Sequence, residues 1–270
     1  MDNRPIGVFD SGLGGLTVVR ELLARLPHER LVYFGDTGRV PYGTRTAATI
    51  NRYAEQDCRF LLNHDVKFIV AACGTVSTTA RAVLEAQPVP AMGVLEPTAD
   101  AALAATRNGR IGILGTTATV RSGAFREYLE RREGVATVSQ ACPLFVSLVE
   151  NGWIERDNEA TVAVAKRYVQ PLLEQGVDTV ILGCTHFPLL SPVLSDILGS
   201  GVTLINSGAA CAERCEQLLR EQEALCDPSQ QGDCRFYVSD QPGGFVDVAE
   251  MFLGRAVESD IQRVDPEEME

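Results

Sequence analysis

Short runs of apolar, often β-branched residues alternate along the chain with longer stretches whose apolar positions recur at helical spacing. Residues 6–9, 31–34, 68–72, 91–95, 110–114, 137–141, 179–182, 203–205 and 234–238 are the predicted strands. Residues 16–25, 46–63, 77–86, 123–132, 159–174 and 211–223 are predicted helices. Such alternation implies crossover connections and a mostly parallel sheet. Ligands of these sheets sit beyond the carboxyl ends of the strands, so the residues just after each apolar run are the first to inspect for chemistry.

The pattern also repeats. Residues 4–12 (RPIGVFDSG) match residues 109–117 (GRIGILGTT), an offset of 109 − 4 = 105. Residues 66–75 (VKFIVAACGT) match residues 177–186 (VDTVILGCTH), and the two cysteines are 184 − 73 = 111 positions apart. An offset this long points to two similar units rather than a solenoid of short repeats. The predicted fold is therefore α/β, with two pseudo-symmetric domains of mostly parallel strands and the site in the cleft between them. The expected division is 1–97 plus 207–270 for the first domain and 98–206 for the second. The strand at 234–238 and the helix before it fall outside both copies and are assigned to the first. The acidic stretch 259–270 is expected to be a frayed end.

Composition narrows the function classes. The net charge of -12 argues against a nucleic-acid partner, since phosphates would be repelled. No apolar run approaches the roughly 18 residues of a membrane span. The start, Met1-Asp2-Asn3-Arg4-Pro5, lacks the basic and apolar regions of a secretory signal, so a cytoplasmic protein with reduced thiols is expected. Only Lys67 and Lys166 are lysines, and neither sits where a pyridoxal-phosphate Schiff base would be expected. No cofactor and no metal are expected.

The 8 cysteines carry the strongest chemical signal. Cys73 and Cys184 occupy equivalent places, each ending an apolar strand before small polar residues that can open a helix. A thiolate there is stabilised by free N–H groups. A single such cysteine reads more readily as core packing; two at matching positions of a duplicated unit place two thiols on opposite sides of one ligand. Inverting a stereocentre that bears a hydrogen needs a base on one face and an acid on the other. A thiol with a reference pKa of about 8.5 can alternate between those roles.

Five ordered segments then resemble the glutamate racemase family: 6–20 (IGVFDSGLGGLTVVR), 35–43 (GDTGRVPYG), 72–77 (ACGTVS), 143–152 (PLFVSLVENG) and 182–189 (LGCTHFPL). The resemblance implies a cofactor-independent enzyme that interconverts L- and D-glutamate and supplies D-glutamate for peptidoglycan. It implies two α/β domains with the site between them, and a homodimer. It makes Cys73 and Cys184 the catalytic bases. Asp10 assists the first thiol, and His186 and Glu150 assist the second. Asp10, Ser11, Tyr42, Gly43, Gly74, Thr75, Thr185 and His186 are the expected substrate-binding residues. A carboxylate beside Cys73 would raise that thiol's pKa and basicity. Two positions depart from the family pattern: Gly74 stands where the family usually has Asn, and Gly38 where it usually has Ala.

Other readings of the same residues remain open. The glycines at 12, 14 and 15 could form a nucleotide loop, but they lack G-x-G-x-x-G spacing and no P-loop lysine follows. Glu150 also fits a solvated helix residue, and Tyr42 a turn residue beside Pro41. Cys58 and Cys142 read as core. Cys211, Cys215, Cys226 and Cys234 lack the paired knuckles of a zinc site and read as packing. The competing functions are an aspartate or hydantoin racemase of the same fold, and a binding protein that has lost catalysis.

Overall fold

The computed structural model describes residues 1–240, 245–257 and 261–265. Its strands are β1 (Ile6–Asp10), β2 (Leu31–Gly35), β3 (Phe68–Ala71), β4 (Ala91–Gly93), β5 (Arg110–Gly115), β6 (Ala136–Ala141), β7 (Thr179–Leu182), β8 (Thr203–Asn206), β9 (Cys234–Val238) and β10 (Ile261–Arg263). Every residue of β1, β2, β3 and β7 is buried. Continuous apolar runs such as IGVFD and TVIL suit this placement, because helices cover both faces of a parallel sheet.

Two parallel sheets result. The six-stranded sheet runs β10-β9-β2-β1-β3-β4 and the four-stranded one β6-β5-β7-β8. The order β2-β1-β3-β4 matches β6-β5-β7-β8 strand for strand, which is the repeat expressed as topology. β9 adds to the first sheet by pairing with β2, Leu31 opposite Cys234. In each sheet the chain order reverses beside the first strand of the copy, β1 or β5, and a crevice opens there at the strands' carboxyl ends. One apolar core runs through both halves, joining Ile6, Val8 and Leu16 to Val180, Leu182 and Leu194. The Leu16–Arg25 helix packs against the Ser207–Glu221 helix. Thr17 Oγ1 also donates to the Thr185 carbonyl at 3.0 Å, tying the first half to the loop of the second thiol.

Several local expectations are corrected. The helix predicted over 77–86 is two helices, Gly74–Thr79 and Arg81–Glu85, broken at Ala80. Ser77 and Thr78 turn their hydroxyls back onto the carbonyls of Cys73 and Gly74, which competes with a regular helix. The strand predicted over 91–95 stops at Gly93, and Leu95 already opens the Leu95–Ala105 helix. Gly123, at φ 68, separates the Thr117–Ser122 and Ala124–Leu129 helices where one helix was predicted from 123. The stretch 259–270 is not simply a frayed end: Ile261–Arg263 pairs in parallel with Phe236–Val238. Residues 259–260 and 266–270 of that stretch lie outside the described residues.

Candidate active site

The crevice holds a cavity of about 250 Å³ between the two halves. From the first half it is lined by Ser11, Tyr42, Gly43, Cys73, Gly74 and Thr75; from the second by Glu150, Cys184, Thr185 and His186. Ten of the eleven site residues singled out from the sequence thus meet in one place. The eleventh, Asp10, lies behind the wall, 1% exposed, with Oδ2 accepting the Gly12 N–H at 3.0 Å.

Cys73 follows β3 and is the residue that caps the Gly74–Thr79 helix. Its Sγ donates to Ser11 Oγ at 3.5 Å. Burial, reinforced by the Asp10 charge, pushes the thiol up to about 12, against contacts with Ser11 and the Val76 N–H. Asp10 is itself raised by burial, with His186 and the N–H groups of Gly12 and Gly15 opposing. The Asp10 Oδ1 atom is buried without a hydrogen-bond partner among the described residues, so it can still accept one.

On the opposite wall Cys184 follows β7. His186 Nδ1 lies 3.8 Å from its sulfur, and His186 Nε2 lies 3.0 Å from Glu150 Oε1. Burial works against charging this imidazole. The hydrogen bonds to the Cys184 sulfur and the Glu150 carboxylate outweigh it and lift His186 to about 10. Glu150 reaches His186 from the end of the Pro143–Glu150 helix.

The cavity also has lining residues that motif reading missed: Thr116, Thr117, Pro143, Val146 and Ser147. The signal for the two threonines was in the repeat, since 116 − 105 = 11 makes Thr116 the counterpart of Ser11. Thr116 Oγ1 and Thr75 Oγ1 are 3.1 Å apart, a hydrogen bond from one half to the other.

All eight cysteines are free and buried. No cluster of three or more His, Cys, Asp or Glu side chains with metal-holding geometry occurs among the described residues. No helix among them is long and apolar enough to cross a membrane. Two thiols, one from each half, thus line one small cavity, each with a titratable neighbour, an arrangement suited to proton transfer.

The model of the Asp/Glu/Hydantoin racemase family matches residues 7–215. The chain belongs to that family. It is 46% identical over 258 residues to a glutamate racemase of Neisseria meningitidis serogroup A, covering 94% of both chains. It superposes on the Francisella tularensis glutamate racemase crystallised with D-glutamate at TM-score 0.91 and 36% identity, covering 99% of this chain and 100% of that one. The Thermus thermophilus glutamate racemase, crystallised with β-chloro-D-alanine, superposes at TM-score 0.88 and 40% identity, with the same coverage.

Proposed function

We propose that the chain is an amino-acid racemase that interconverts L- and D-glutamate by moving the Cα proton between two thiols. The observation that carries this reading is the pairing of Cys73 and Cys184, each just past equivalent strands of a duplicated unit and both lining one cavity. The high identity to glutamate racemases along almost the whole chain selects glutamate among the amino acids.

The chemistry balances without a redox partner. One cysteine, as thiolate, takes the Cα proton, and the electron pair of the C–H bond moves into the adjoining carboxylate. The opposite thiol then delivers its proton to the other face of Cα, and its sulfur becomes the thiolate. The enzyme is then set for the reverse reaction, and a second turnover in the same direction follows once the two sulfurs have exchanged protons with solvent. Asp10 keeps Cys73 basic. Asp10, buried behind the cavity wall, serves substrate through Cys73 rather than by touching it, while Ser11 and the N–H of Gly74 hold a carboxylate. His186, steadied by Glu150, exchanges a proton with Cys184. Tyr42, Gly43, Thr75 and Thr185 complete the substrate's polar surroundings. Because the whole protein is strongly anionic, local N–H and hydroxyl groups must hold an anionic substrate against the overall field.

The same reading divides the chain into domains 1–97 plus 207–270 and 98–206. It takes the enzyme to be a cytoplasmic homodimer supplying D-glutamate for peptidoglycan. The deciding experiment incubates L-glutamate with the purified protein in D2O, with no cofactor added. Loss of optical rotation together with deuterium at Cα is the expected result. Exchange with aspartate or a hydantoin but not glutamate would move the protein to another branch of the family. No exchange with any of them would leave a binding protein.

A further inference from the structure

Tyr42 lines the cavity, yet its hydroxyl does not serve it. The hydroxyl bonds Asp36 Oδ2 and lies 3.1 Å from Asp57 Oδ2. Arg39 closes the group: its Nε donates to Asp36 Oδ2 at 2.6 Å, and its Nη2 to Asp57 Oδ1 at 3.1 Å. The Arg39 guanidinium also sits 4.1 Å above the Tyr53 ring. Both carboxyl side chains are 0% exposed, and Tyr42 is 1% exposed. The cluster thus lies directly behind residues 40–44, all of which line the cavity.

Its proton count is constrained by geometry. A phenol carries one proton and can donate to only one of two carboxyl groups. The other contact sets lone pair against lone pair unless the second carboxyl brings a proton of its own. Charge leads to the same point: two buried carboxylates facing a single guanidinium would leave one negative charge uncompensated in a dry interior.

We propose that Asp36 and Asp57 are positioning residues of the active site, sharing one proton through the Tyr42 hydroxyl and thereby fixing residues 40–44 against the cavity. Asp57 holds the proton and donates from Oδ2 to Tyr42, which donates on to Asp36; Asp36 keeps the closer ion pair with Arg39. Burial and the neighbouring Asp36 charge both raise the Asp57 carboxyl well above its ordinary range. The more distant Asp10 charge adds to this, while Arg39 and the Tyr42 hydrogen bond oppose it. The consequence for function is that Tyr42 serves substrate through the backbone it anchors and not through its hydroxyl.

The kinetic part of the test rests on the racemase reading; the spectroscopic part does not. Asp57→Asn supplies a neutral group of the same shape that can donate to Tyr42 and accept from Arg39, and its KM for glutamate should stay near that of the wild type. Asp57→Ala and Tyr42→Phe each break the chain of donors and should raise KM by about tenfold, with a smaller change in kcat. The infrared difference spectrum of wild type minus Asp57→Asn at neutral pH should contain a protonated-carboxyl C=O stretch that shifts on deuteration. No such band, or an Asp57→Asn variant with KM raised as far as in Asp57→Ala, overturns the proposal. If Asp57→Ala does not fold, Tyr42→Phe and the infrared band still decide it. A wild type inactive on glutamate would defeat the racemase reading and leave the band as the arbiter of the shared proton.

Discussion

Gly74 and Gly183 meet across the cleft with no room for a side chain: a Cβ built on residue 74 would lie 2.5 Å from the Gly183 carbonyl oxygen. One residue opens the helix after Cys73 and the other immediately precedes Cys184. Their backbone contact therefore sets the spacing of the two thiols. The obstructing atom belongs to the backbone, so it cannot swing aside as the end of a side chain would. Glycine at this position thus has a structural counterpart here, the close contact of the two cysteine loops.

That contact makes an unusual prediction. Gly74→Ala forces the two loops apart, and a displacement of order 1 Å at the reacting atoms costs about 100-fold. A drop of that order in kcat/KM for glutamate is expected. Gly74→Asn, with a longer side chain at the same point of contact, should be impaired at least as much. Either variant with unchanged kcat/KM would show that the loops reseat freely.

Asp10 and Cys73 give a second prediction, read by the alkylation rate of the thiol. The Asp10 charge helps to raise the Cys73 thiol, behind burial. Asp10→Asn removes the charge and lowers that pKa, so Cys73 should be alkylated faster at a given pH. Mass spectrometry of iodoacetamide-treated protein identifies the labelled cysteine. Slower alkylation of Cys73 in Asp10→Asn would refute the electrostatic coupling.

Much of this was legible in the sequence, for a definite reason. Buried parallel strands are continuous apolar runs, so IGVFD, FIVA and TVIL announced themselves, and the positions after them carried the site. Duplication did the rest by making Cys73 and Cys184 equivalent. The helices were harder. Leu95–Ala105 is rich in alanine and has little contrast between its faces, and Pro143–Glu150 reads PLFVSLVE, apolar on nearly every side. The Asp36–Arg39–Tyr42–Asp57 cluster was not visible at all. Charged residues along a chain look like solvated surface until folding buries them together.

His186 and Glu150 yield a pH prediction. The imidazole is lifted from 6.5 to about 10, against burial, by its bonds to Cys184 and Glu150. Since the folded value is the higher one, this interaction stabilises the fold fully below pH 6.5 and is lost as pH rises toward about 10. Glu150→Gln removes one of the raising causes. The alkaline limb of the racemisation profile, and the alkaline loss of thermal stability, should both move to lower pH. NMR titration of His186 reads the shift directly, and an unmoved or higher pKa in Glu150→Gln would exclude this role for the carboxylate.

Lys67, one of only two lysines in the chain, turns out to serve the fold. Its Nζ pairs with Glu29 Oε2 at 2.7 Å, with the two side chains 1% and 2% exposed. It also donates to the carbonyls of Asp2 and Ala224 at 2.7 and 2.8 Å. The ammonium therefore ties the amino-terminal segment to the loop after the Ser207–Glu221 helix, at the end of the sheet away from the thiols. Breaking such a pair from one side leaves a buried carboxylate without its cation, a loss of about 3–5 kcal/mol. Lys67→Met should lower the melting temperature and the denaturant midpoint accordingly. Its kcat and KM, measured at a temperature where it remains folded, should match the wild type. Loss of activity without loss of stability would instead connect Lys67 to the chemistry.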